Sequence, residues 1–153
     1  MSTELAALQE QSFARASAAT VSAFPAERRL TGQQLAGYLD RRAFAVIGTG
    51  RPDGRPHAAM SAYYRRGAVF WLPMVGGSVR ERNLRRQPWL TMTIPEGDDV
   101  GHVVVLVEGV AAIVPPIAVP TDVRATVSGD WVEVWARLTP SRLLSYADEG
   151  APL

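Results

Sequence analysis

The chain has 153 residues and a mass of 16.6 kDa, which fits one domain. Hydrophobic residues make up 47% and charged residues 20%, a globular balance, and the mean hydropathy is +0.00. No apolar run is longer than Val103–Val107, so a membrane-spanning helix, which needs about 20 apolar residues, is excluded.

The formal net charge of +1 gives no bulk attraction to nucleic acid or to a membrane surface, and neither partner is expected. Cysteine is absent, which excludes disulfides and thiolate metal sites. All 16 basic residues are Arg, so a lysine Schiff base is excluded as well. His57 and His102 are the two histidines, too few for a metal site without carboxylates, and none is expected. The start, Met1-Ser2-Thr3-Glu4, lacks the basic flank and apolar core of a secretion signal, so a cytoplasmic protein is expected.

In chain order, Glu4 to Ala19 holds good helix formers and predicts a first helix of modest amphipathicity. Phe24-Pro25 breaks it, and residues 1–30 read as an N-terminal helical extension. Thr31 and Gln34 form a capping box for a second helix whose buried face is Leu35, Tyr38 and Leu39. From residue 43 the period changes to two, with strands expected over 43–49, 55–64, 68–74, 89–94, 101–114 and 131–139. Arg51-Pro52-Asp53-Gly54 is a tight turn between the first two, and Arg65-Arg66-Gly67 turns into the third. Strands joined by hairpins predict an α+β, mostly β fold: a six-stranded antiparallel barrel with flanking helices over residues 31–153.

Two segments carry chemistry. Val75 to Arg86 leaves a strand, passes Gly76-Gly77 and opens a helix with the box Ser78-x-x-Glu81. A helix start offers unpaired N–H donors, and Arg80 and Arg82 in its first turns suit a forked contact on a phosphate. The plainer alternative is a capped, solvated Arg-rich helix. The second segment is His57-Ala58-Ala59-Met60-Ser61, whose small side chains let a flat ring lie against backbone groups; the plainer reading is a crowded barrel interior.

Together, Gly48–Tyr64 (GTGRPDGRPHAAMSAYY) and Val69–Thr91 (VFWLPMVGGSVRERNLRRQPWLT) resemble the pyridoxamine 5'-phosphate oxidase-like split-barrel superfamily, which includes flavin- and deazaflavin-dependent reductases. The resemblance runs through residues 35–147, with 103–111 and 138–147 as further core strands. It implies a split barrel that binds FMN or the deazaflavin coenzyme. It places Ser78 at the hydroxyl position and Arg80 at the basic position of the phosphate site, followed by Arg82 and Asn83, and lays the ring against His57–Ser61 near a dimer interface. Two departures stand out: Pro73-Met74 replaces a common Ser-Thr pair, and residues 115–130 are short and Pro-rich. The pocket is then open, or completed by the N-terminal helix or a second subunit.

Trp131, Glu133, Trp135 and Arg137 fall on one face of the last strand, where the two Trp imply either an interface or cover by the first helix. The run Val103–Val107 implies burial on both faces, and a homodimer is expected. The function these readings imply is a flavin- or deazaflavin-dependent oxidoreductase acting on a small organic substrate. The alternatives are a flavin-binding protein without turnover and a split barrel diverted to another ligand or to non-redox biosynthetic chemistry. No acid–base set identifies itself, and the catalytic residues are unknown.

Overall fold

In the computed structural model, which describes residues 2–153, the alternating segments form seven strands. They are β1 (Phe44–Gly50), β2 (Pro56–Ala62), β3 (Tyr64–Arg66), β4 (Val69–Met74), β5 (Trp89–Gly97), β6 (His102–Val114) and β7 (Val134–Ala147). All pair antiparallel in one sheet of order β2-β1-β5-β6-β7-β4-β3. The first and last strands in that order are joined through the single residue Tyr63. The sheet therefore curls on itself into a split barrel, and the outer edge of β2 has no ladder partner among the described residues.

That junction explains why there are seven strands where six were expected. The expected strand 55–64 breaks at Tyr63, whose buried ring sends its hydroxyl to the Leu39 carbonyl at 2.7 Å. Tyr64–Arg66 then pair with Val69–Trp71, so Arg65 and Arg66 lie in a strand, and the turn falls at Gly67 with φ +60. The turn at Arg51–Gly54 forms as expected, with Gly54 at φ +86 and its N–H on the Arg51 carbonyl.

Among the described residues, five α-helices flank the sheet: α1 (Ser2–Arg15), α2 (Ala18–Ala23), α3 (Gly32–Arg41), α4 (Val79–Arg86) and α5 (Thr121–Arg124). The expected first helix is divided because the Ser17 side chain accepts the Thr20 N–H at 3.2 Å and starts α2 afresh. Met1 lies outside the described residues. In α3 both arms of the Thr31–Gln34 box are made, and Leu35, Tyr38 and Leu39 are buried.

The N-terminal segment shares the main core with the barrel. Leu5 and Leu30 pack in one cluster with Leu35, Ile47, Phe70, Leu72 and Val105. Its polar residues have a specific task. On one side of β7, β4 reaches only Val134–Leu138, which leaves the rest of that edge open. Helix α1 covers it: Ser12 Oγ accepts the Leu143 N–H at 2.9 Å, and Ser145 Oγ donates to Gln9 Oε1 while accepting the Leu30 N–H at 2.9 Å. A covered edge removes the exposed ladder that invites aggregation.

Two expectations for the later strands are corrected. Trp131 and Glu133 precede β7, and residues 134–147 form one bulged strand rather than two pieces. Trp135 is buried against Trp71, Val119 and Val123, so the short helical segment 116–124 covers it, neither α1 nor a second chain. In the run Val103–Val107, Val103, Val105 and Val107 face the core, while Val104 and Leu106 are half-buried on the outer face. Burial on both faces is not what the single chain shows. No helix among the described residues is long and apolar enough to cross a membrane.

Candidate functional site

Helix α4 starts where β4 ends. Gly77 takes φ +76, which turns the chain, and Ser78 Oγ caps the helix by accepting the Glu81 N–H at 3.3 Å. The returning arm differs from the expected box: Glu81 Oε1 accepts from the Gly77 N–H at 2.9 Å rather than from Ser78. Its other oxygen takes the Arg85 Nε–H at 2.8 Å. The Arg85 contact and then the Gly77 N–H hold the Glu81 carboxyl below the usual carboxylate range. The Val79 and Arg80 N–H groups make no hydrogen bond among the described residues. With the Ser78 hydroxyl proton, they leave three donors at the helix start.

Arg80 reaches from α4 to β2, and its Nη1 lies 3.5 Å from the Met60 carbonyl. Burial holds the Arg80 guanidinium below its ordinary pKa, though it stays charged. Because antiparallel backbone groups alternate in direction, Ala58 shares with Met60 the N–H and C=O groups that point to the unpaired edge of β2. Their side chains stand on the outer face of the sheet, where Met60 is 70% exposed. His57, Ala59 and Ser61 point the other way. His57 lies opposite Thr49 with its Nδ1 buried and unpartnered, and Ser61 Oγ bonds to the Ala62 carbonyl at 2.9 Å.

The remaining candidates separate. Asn83 is buried and donates to Thr49 Oγ1 at 3.0 Å, pinning α4 to β1. Arg82 lies on the side of α4 that faces the β1–β2 hairpin, away from Arg80. The structure thus brings Arg80 to Met60, with Ser78 at the start of the same helix and Ala58 on the same open edge of β2, while Arg82, Asn83, His57, Ala59 and Ser61 point elsewhere. Pro73 and Met74 are buried, Pro73 opposite Trp135 and Met74 in the core, so neither lines the helix start. Sequence reasoning missed Thr49, whose role is set by a partner 34 residues away. It also missed Arg51 and Arg55, for which the two arginines around the turn were the available signal.

The outer face of the sheet is apolar and exposed. Phe44 and Val46 of β1, Met60 of β2, Trp89 of β5 and Val110 of β6 all stand on it. Single exposed apolar residues are ordinary, whereas a set on one sheet face marks a binding surface.

A model of the pyridoxamine 5'-phosphate oxidase family matches residues 31–146. No curated protein matches the chain. Among solved structures, a conserved hypothetical protein of Mycobacterium tuberculosis superposes with TM-score 0.69 at 23% identity, covering 80% of this chain and 88% of that one. A FAD-binding protein of Mesorhizobium loti gives 0.66 at 19%, covering 80% and 97%. The heme storage protein of Vibrio cholerae gives 0.60 at 14%, covering 75% and 93%. These likenesses establish the fold, and the match over residues 31–146 establishes that the chain belongs to the pyridoxamine 5'-phosphate oxidase family.

Proposed function

We propose that this chain is a flavin- or deazaflavin-dependent oxidoreductase of the split-barrel type. It works as a cytoplasmic homodimer that transfers hydride or electrons between FMN, or the deazaflavin coenzyme, and a small organic substrate. The observation that carries this reading is the meeting of the α4 start with the unpaired edge of β2, where Arg80 lies 3.5 Å from the Met60 carbonyl.

The donor set fits a phosphorylated tricycle. A phosphate at the α4 start would meet the free Val79 and Arg80 N–H groups, the Ser78 hydroxyl and the Arg80 guanidinium. The backbone groups of Ala58 and the Met60 N–H, on the open edge of β2, offer donors and an acceptor to the polar edge of a ring, and the methyl of Ala58 lets that ring come close. A flavin supplies the redox chemistry when bound, and the chain's part is to hold, orient and shield it. The M. loti neighbour, a FAD-binding protein, supports the flavin class. The apolar outer face supports the homodimer, since a second copy would cover Phe44, Val46 and Met60 and enclose the site.

The test is an absorbance spectrum of the purified protein, followed by titration with FMN and with the deazaflavin coenzyme. Arg80→Ala should weaken binding about ten-fold or more, the ordinary cost of a charge-assisted hydrogen bond. Unchanged affinity overturns the phosphate site. A second reading, a flavin-binding protein without turnover, is favoured by one observation. Among the described residues, His57 is the one ionisable side chain of β2, and it faces inward. A bound flavin that no substrate reduces would establish that second reading instead.

A further inference from the structure

The side of α4 opposite Arg80 carries a second basic feature. Val79, Arg82, Asn83 and Arg86 recur at helical spacing on one face of α4 and meet Arg51, Pro52, Asp53 and Arg55 of the β1–β2 hairpin across a cleft of about 430 Å³. Four guanidinium groups line it against one carboxylate, an excess of three positive charges in a chain whose net charge is +1.

The single carboxylate is already engaged. Asp53 accepts from the Arg55 backbone N–H at 3.1 Å and from its Nε–H at 2.7 Å, which fixes the turn. The Arg82 side chain has no hydrogen bond or ion pair among the described residues, and the Arg51 guanidinium makes one long contact, 3.5 Å, to the Pro56 carbonyl. The back wall is organised: Arg86 Nη2 donates to the Gly50 carbonyl and to Asn83 Oδ1, and Asn83 is itself held by Thr49. Guanidinium forks around a cleft, two of them held by Asp53 and Gly50 and two left nearly free, suit phosphoryl oxygens in geometry as well as charge. No aromatic side chain lines the cleft, so it lacks the platform on which a base or tricyclic ring would stack.

We infer that this cleft is a second anion subsite, distinct from the Arg80 locus, which takes a phosphate or diphosphate group. The inference does not depend on a flavin being bound. The group has two sources with the same chemistry: a further phosphate on a cofactor whose first phosphate sits at Arg80, or a separate phosphorylated molecule.

Inorganic pyrophosphate is the probe, titrated calorimetrically into the full chain without flavin. Binding at the cleft should weaken about ten-fold or more in the double variant Arg51→Ala/Arg82→Ala and persist in Arg80→Ala, which removes only pyrophosphate held at the α4 start. The two arginines are exposed and bonded to little else, and an unchanged near-ultraviolet tryptophan spectrum would show that the fold persists. No detectable binding to the wild type overturns the inference. So does a loss in Arg80→Ala with none in the double variant, which would place pyrophosphate at the α4 start. The flavin reading stands or falls separately, on the FMN titration. If pyrophosphate binds, competition identifies the source. Displacement by a flavin dinucleotide and not by FMN marks the cleft as a cofactor arm, and displacement by neither marks a separate phosphorylated ligand.

Discussion

The side-chain amide of Asn83 donates to the hydroxyl of Thr49 at 3.0 Å, joining helix α4 to strand β1 from positions 34 residues apart. Both groups are buried, so the contact has no water to replace it. Thr49→Val keeps the shape and removes the acceptor, leaving the Asn83 amide short of a partner. The expected loss is about 1–3 kcal/mol, read as a lower urea midpoint at unchanged slope. The double variant Thr49→Val/Asn83→Leu should cost less than the sum of the two single changes, because they share one interaction. Additive losses would show that the bond does not hold the helix.

How much of this was legible beforehand depends on the range of the interaction. The Thr31–Gln34 box, the Pro52–Gly54 turn and the Ser78 cap are made between residues two to four apart, and each forms where the local residue types predict it. The break at Tyr63 was not legible, since it is fixed by the Leu39 carbonyl on α3. Neither was the cover over Trp135, which comes from Val119 and Val123 in a segment with no clear period. The separation of Arg80 from Arg82 is a different case. At about 100° per residue, two positions apart on a helix face nearly opposite ways, so nearness in sequence misled where helical geometry would not.

The docking of α1 on the open part of the β7 edge yields a second stability test. Ser12 Oγ is the acceptor for the Leu143 N–H at 2.9 Å and itself donates to the Leu8 carbonyl at 2.7 Å. Ser12→Ala should leave the Leu143 N–H buried without a partner, at a cost of about 1–3 kcal/mol. Hydrogen exchange at Leu143 should quicken by more than at Val105, which keeps its place in the β6 ladder. Equal changes at both sites would mean that α1 acts through the general core rather than through this edge.

Alkaline pH should loosen the fold through two buried tyrosines. Burial pushes the Tyr38 hydroxyl up to about 12, and burial likewise raises that of Tyr63 above its ordinary value of 10.0. Each hydroxyl donates to a carbonyl, Tyr38 to Ile94 at 2.8 Å and Tyr63 to Leu39 at 2.7 Å, which only the protonated form can do. A pKa raised in the folded state means that the unfolded chain loses its protons first. The contribution is therefore whole below pH 10.0 and falls as pH rises toward about 12. Melting temperature should decline over that window, with tyrosinate absorbance appearing together with unfolding. Tyr63→Phe should lower stability at neutral pH, because the Leu39 carbonyl loses its donor, and should flatten the alkaline decline. A decline as steep as that of the wild type would assign the alkaline loss to other groups.

The outer face gives the most direct test of the proposed homodimer. Phe44 is 54% exposed, Val46 43% and Met60 70%, and they occupy adjacent positions on β1 and β2, with Val46 directly opposite Met60. A charge placed there costs little in a monomer, because the side chain already stands in water. In a dimer it would have to be desolvated without a partner. Val46→Glu should therefore leave the melting of the single chain nearly unchanged while shifting the solution mass from twice 16.6 kDa to 16.6 kDa in light scattering. Substitution at Val100, 90% exposed on the β5–β6 turn and away from this patch, should leave the mass as it was. If a second copy also encloses the cofactor, the Val46→Glu monomer should bind FMN more weakly although Ser78 and Arg80 are intact. A monomer that keeps the wild-type affinity would confine the site to one chain, and a wild-type protein of 16.6 kDa in solution would overturn the homodimer itself.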